Sequence, residues 1–169
     1  MWNSLKHHTS RTLGNIAVGV TLVLVLDVLW GVFSRKILGD QTRWTEELAR
    51  FLLVWISFIG AALAFIENKH LGVDLLTTRF DPAARKAGRI ATQLLIGLFA
   101  LFVLGIGGSQ LVSSRFESGQ LLPALQINKG WFYLAAPVSG FIIALFAFGD
   151  AVCLLLGGKM EETETGETS

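Results

Sequence analysis

The sequence predicts an all-α integral membrane protein with four transmembrane helices, both termini cytoplasmic (N-in/C-in), and short interfacial helical segments. Three observations predict it. Of 169 residues, 52% are hydrophobic and only 16% charged, with a mean hydropathy of +0.57; soluble domains carry about 25% charged residues. The apolar residues fall in four long blocks rather than in amphipathic stripes. The densest basic cluster, Arg79, Arg85, Lys86 and Arg89, lies between the second and third blocks, and the positive-inside rule assigns that connection to the cytoplasm. Four spans then return the chain to the side on which it began.

The spans are expected at about 13–34, 47–66, 90–112 and 130–156, making residues 1–156 one membrane domain. The first block contains one charge, Asp27, and is too long for a signal-peptide core, so it is read as an uncleaved anchor. The second block is uncharged only over 51–66, about 24 Å of helix. It crosses only if the preceding turn, Glu47 to Arg50, dips into the interface. The third is uncharged throughout. Asp81 and Pro82 form an N-cap and first-turn pair, so its helix starts in the cytoplasmic interface and runs to about Arg115. Before it, Leu71, Leu75, Leu76 and Phe80 suit a segment lying flat on the inner leaflet. The fourth holds Pro137, which frees a backbone carbonyl. The acidic tail, 157–169, has nothing apolar to bury and is expected to be disordered.

Composition removes several function classes. A net charge of +1 gives no nucleic-acid footprint. One cysteine, Cys153, permits no intrachain disulfide and no cysteine metal cluster. His7, His8 and His70 all lie outside the spans, so a haem-bearing respiratory anchor lacks its facing histidines. Ser57, Ser109 and Ser139 are embedded hydroxyls expected to bond backbone carbonyls, and Asp150 and Cys153 read as interfacial and inert. Neither a catalytic constellation nor a cofactor site is expected in this chain.

The chemistry-bearing residues gather at the outer end of the second span. Arg43 and Glu47 are four apart, as are Glu46 and Arg50, so each pair shares a helix face. Trp44, Phe51, Trp55, Phe58 and Ala62 follow helical spacing and form an aromatic face ending in small residues. Asp27 and Arg50 lie at similar depths in an antiparallel hairpin, and an intramembrane carboxylate demands a partner; an Asp27–Arg50 pair is one expectation, with protonation or pairing to another subunit left open. Gly60–Ala64 and Gly140–Ala144 are small-xxx-small pairs for close helix approach.

The order FSRKILGDQTRWTEELARFLLVWISFIGAALAFIENKHLGVDLL resembles the small membrane subunit of tripartite ATP-independent periplasmic (TRAP) transporters. The matching features are Arg35 at the close of the first span, WTEELAR, VWISFIGAA, HLGVDLL and the later LPALQINKGWFYLAAPVSGF; Asp27 lies outside them. The resemblance implies a bacterial inner-membrane subunit that binds no substrate or sodium itself. It implies a large multi-span partner that carries substrate and sodium ions by an elevator motion, and a periplasmic binding protein that delivers a small organic acid. Arg35, Arg43, Trp44, Glu46, Glu47, Arg50, Trp55, Gly60 and Asp27 are then expected to serve structure or partner contact, with membrane lipid around them. The rival is a stand-alone proton-coupled four-helix exporter using Asp27.

Overall fold

The computed structural model describes residues 2–38, 43–67 and 82–155. Four helices long and apolar enough to cross a membrane cover Ser4–Ile37, Arg43–Ile66, Lys86–Glu117 and Gly130–Leu155. Helix α1 (Trp2–Phe33) runs into a π-helical turn, Ser34–Leu38, and α2 spans Arg43–Ile66. The third span is composite: α3 (Pro82–Phe99), a π-helical stretch Ala100–Gly107, and α4 (Gly108–Glu117). The fourth opens with a single turn, α5 (Gly130–Tyr133), and continues as α6 (Ala135–Leu155). Leu134 interrupts it because Pro137 has no N–H to offer the carbonyl one turn back.

The first span is helical from Trp2, well before its apolar block begins, so its polar first turns stand proud of the hydrocarbon. The third also outruns its block at both ends, consistent with the Pro82 start read from sequence. The 71–80 segment, Asp81 and the acidic tail lie outside the described residues.

The helices form a row. The first span packs on the second, the second on the fourth, and the fourth on the third; among the described residues the first span's backbone approaches no other span. Half of the fourth span's most apolar window is buried within the chain, against 6% for the first. The core sits toward the end of the bundle where α2 and α6 finish and joins Leu13, Phe65, Ile66, Ile143 and Phe146 to the small residues Ala62, Ala100, Ala144 and Ala147. Small residues suit a bundle held by van der Waals fit, because lipid tails supply little hydrophobic reason for helices to associate.

The glycines divide sharply between internal and open faces. A Cβ on Gly140 would lie 2.5 Å from Leu104 Cβ, 2.9 Å from the Gly105 nitrogen and 3.0 Å from the Ala100 oxygen. The fourth span therefore touches the π-helical stretch backbone to backbone, and only glycine fits. Gly60 meets nothing within 4 Å. Of the two small-xxx-small pairs, Gly140–Ala144 builds the subunit's interior, while Gly60 at the head of the other faces open space.

The embedded hydroxyls behave as expected. Ser57 donates to the Leu53 carbonyl at 2.7 Å, Ser109 to Ile106 at 2.8 Å and Ser139 to Ala136 at 3.0 Å, each satisfied within its own helix.

Candidate functional site

The N-terminal end of α2 is built around Glu47. Its Oε2 accepts the backbone N–H groups of Ala124 and Leu125, both at 3.0 Å, in the connection between the third and fourth spans. That connection is folded on itself. The Leu122 N–H donates to Ile127 at 2.8 Å, Lys129 to Gln120 at 2.9 Å and Gln126 to Leu122 at 2.9 Å, with Gly119 and Gln126 at positive φ. Leu122 is buried, whereas Leu121 and Ile127 of the same apolar stretch stay exposed. Asn128 Oδ1 accepts the Gly130 N–H at 2.8 Å and orders the entrance to α5. Nearby, Arg115 stands 5.7 Å from the centre of the Tyr133 ring.

The neighbouring charges do less. Arg50 approaches Glu46 at 3.9 Å, with side chains 74% and 52% exposed. This is the expected i,i+4 pair in its weakest form. Arg43 and Glu47 do not pair; Glu47 turns to the loop amides instead. Arg50→Gln should therefore change thermal stability by less than about 0.5 kcal/mol, measured by unfolding of the purified chain in detergent.

Asp27 and Arg50 are not brought together. Asp27 is 6% exposed and neither carboxylate oxygen has a hydrogen-bond partner, while Arg50 stands in the open beside Glu46. The depth match was sound but the rotation was not. Asp27 shares a heptad-spaced face with Leu13 and Ser34, all buried, which is the face that α1 turns to α2. Higher on this seam a Cβ on Gly31 would lie 3.2 Å from Thr45 Oγ1.

The aromatic face is split. Trp44 is 39% exposed. Trp55 is half-buried, its ring 6.0 Å from Phe51, and Phe51 lies 6.1 Å from Phe132 of α5. Part of the face is thus spent inside the subunit. Arg35 is exposed in the π-helical turn that ends the first span.

Asp150, read from the sequence as interfacial and inert, is a heavily engaged carboxylate. It is 2% exposed. Lys6 Nζ lies 2.6 Å from Oδ1 and 2.7 Å from Oδ2, Trp2 Nε1 donates to Oδ1 at 2.9 Å, and Gln93 Nε2 reaches Oδ2 at 3.5 Å. Trp2 packs 5.6 Å from Phe146. Ser10 donates to Glu67 at 2.9 Å and adds a tie between the first two spans at the same end. Asp150 is therefore not inert: it ties the first turns of α1 to α6. Its proximity to the apolar end of the last block, where a carboxylate should have been costly, was the available signal.

Among the described residues, no three His, Cys, Asp or Glu side chains gather as a metal site. The polar chemistry of the site holds helices and loops in place.

Comparison with known proteins agrees with this character. Residues 24–157 match the family described as "Tripartite ATP-independent periplasmic transporters, DctQ component". The chain is 25% identical over 144 residues to a Haemophilus influenzae protein assigned as a TRAP transporter small permease, covering 85% of this chain and 88% of that one. It is 28% identical over 127 residues to the sialic acid TRAP transporter small permease protein SiaQ of Vibrio cholerae, covering 74% and 70%. It is also 25% identical over 138 residues to the sialic acid TRAP transporter permease protein SiaT of Haemophilus influenzae, covering 82% of this chain but 21% of that longer polypeptide. A four-span bundle whose charges tie its own ends together, with a family match over most of its length, belongs to the DctQ family: it is a TRAP transporter small membrane subunit.

Proposed function

We propose that this chain is a static scaffold in an inner-membrane TRAP transporter, bracing a large multi-span permease while that partner moves the substrate. The observation that carries the reading is the apolar face that the first span leaves open: only 6% of its most apolar window is buried within the chain, and Val18, Leu22, Leu26 and Leu29 stand exposed. In SiaT a segment like this one is part of a longer permease polypeptide, which supports a large permease as its neighbour in the membrane. Both termini face the cytoplasm, on the strength of the basic connection between spans two and three. The large permease carries the sodium ions and the elevator movement, and a periplasmic binding protein delivers a small organic acid. Relatives named for sialic acid, C4-dicarboxylates and ectoine share similarity with this chain, which fits a subunit that does not select the substrate.

Mechanistically, an elevator needs one part held still. Glu47 fixes the outer loop to α2, Asp150 fixes the first turn of α1 to α6, and the Gly140 contact locks spans three and four. Replacing Glu46 and Glu47 together by Gln is expected to lower recovery of the large permease by about fivefold, the equivalent of roughly 1 kcal/mol. Copurification on a tagged chain checks this, and undiminished recovery with full uptake would refute the assignment.

The exporter reading draws on Asp27, the one buried carboxylate without a hydrogen bond among the described residues. A coupling site must exchange its ion with water, and both Asp27 oxygens are closed off between α1 and α2. Proton-driven export by the chain alone in vesicles would favour this reading over the scaffold.

A further inference from the structure

Among the described residues, the row of helices gives the first span a single neighbour, the second. Its backbone meets only the second span, so the fourth and third could hold it only through long side chains. Such polar side chains are found near the start of α1. Trp2 and Lys6, one turn apart, reach past the second span to Asp150 near the end of α6. The Trp2 indole lies directly over Gly149, where any Cβ would overlap the ring, and its edge rests on Phe146. The socket therefore has a floor with no side chain, an aromatic wall and a carboxylate aimed at the indole N–H. Gln93 brings the third span to the same carboxylate.

We propose that Trp2, Lys6 and Asp150 form a latch that clamps the first turns of α1 onto α6 and ties a first span seated on the second alone to the rest of the bundle. The geometry supports a latch over a generic surface ion pair. Asp150 is 2% exposed and the Lys6 side chain 14%, so the pair is shielded from solvent and from competing salt. The donors to Asp150 are Trp2 and Lys6 on α1 and Gln93 on α3, so the hydrogen bonds from α1 are lost when α1 leaves α6. A buried carboxylate that loses one donor keeps its desolvation cost, so opening the latch is cooperative: Trp2 and Lys6 leave together or not at all. This inference rests on the scaffold reading only for its consequence, since stiffness matters to a brace; the latch itself is a property of the chain.

The test uses the full chain in lipid nanodiscs, with Cys153→Ser and spin labels at Ser4 and Val152, both exposed. Electron–electron distance measurement should give one narrow distribution. Asp150→Asn, Trp2→Phe and Gly149→Ala should each broaden it, and amide exchange in the second turn of α1 should rise by about tenfold or more. Gly149→Ala leaves every charge in place and displaces only the indole, so it separates the latch from general misfolding. In a double-mutant cycle, Lys6→Met combined with Asp150→Asn should cost less than the sum of the two, because the pair is removed together. A distribution that stays narrow in both Asp150→Asn and Gly149→Ala overturns the latch. Broadening accompanied by full recovery of the large permease keeps the latch and removes the claim that stiffness of the first span serves the brace.

Discussion

Gly140→Leu is expected to abolish the folded subunit, and Gly140→Ala to destabilise it by about 1–3 kcal/mol, the usual cost of overpacking a well-filled site. The contact explains the size of the effect. Two of the three atoms nearest the missing Cβ are backbone, the Gly105 nitrogen at 2.9 Å and the Ala100 oxygen at 3.0 Å, and neither can swing aside as a side chain would. The Ala100–Gly107 stretch is already wound as a π-helix, so widening the gap would have to move the whole middle of the third span. Gly60→Leu is the matched control: its Cβ meets nothing within 4 Å, and stability of the isolated chain should stay within about 0.5 kcal/mol. Thermal unfolding in detergent, followed by circular dichroism, reads both. Helix propensity alone would favour leucine at both positions, so equal losses in the two variants would mean that this contact is not what makes Gly140 necessary.

The second large effect is expected at Glu47. Glu47→Ala removes the acceptor for two backbone N–H groups, and about 1–3 kcal/mol follows from leaving partly buried donors unsatisfied. The diagnostic is local. Amide exchange at Ala124 and Leu125 should accelerate by about tenfold or more, while the amides of α3 stay unchanged. Glu47→Gln keeps an oxygen in place but loses the charge, so it should fall between wild type and alanine. If those two amides exchange at the same rate in all three proteins, Glu47 does not hold the loop.

The spans were legible because their signal is local. An uncharged apolar run needs no knowledge of its neighbours, and the cost of exposing backbone in lipid leaves few alternatives to a helix. The start of the third helix at Pro82 was legible for the same reason. What sequence could not supply was the pairing of distant groups. Glu47 meets amides 77 and 78 positions away, and Asp150 meets Trp2 and Lys6 at separations of 148 and 144. The i,i+4 rule found Glu46–Arg50, which is real but exposed at 3.9 Å, and it also suggested Arg43–Glu47, which gives way to the loop. Short-range spacing thus picked out the contact with the least to contribute. Depth matching placed Asp27 beside Arg50 without fixing helix rotation; a heptad count over Leu13, Asp27 and Ser34 would have turned Asp27 toward the seam with α2. The π-helical stretch had a hint in Gly105, Gly107 and Gly108, but glycine clusters in spans have several uses and none announces a change of winding.

The scaffold account is tested most directly by reconstitution. Vesicles should be prepared with this chain alone, with the large permease alone, and with both, each supplied with the periplasmic binding protein, a sodium gradient and radiolabelled organic acid. Uptake is expected only where both membrane chains are present. Substrate movement through vesicles holding this chain alone would contradict the account, because a scaffold carries no substrate itself.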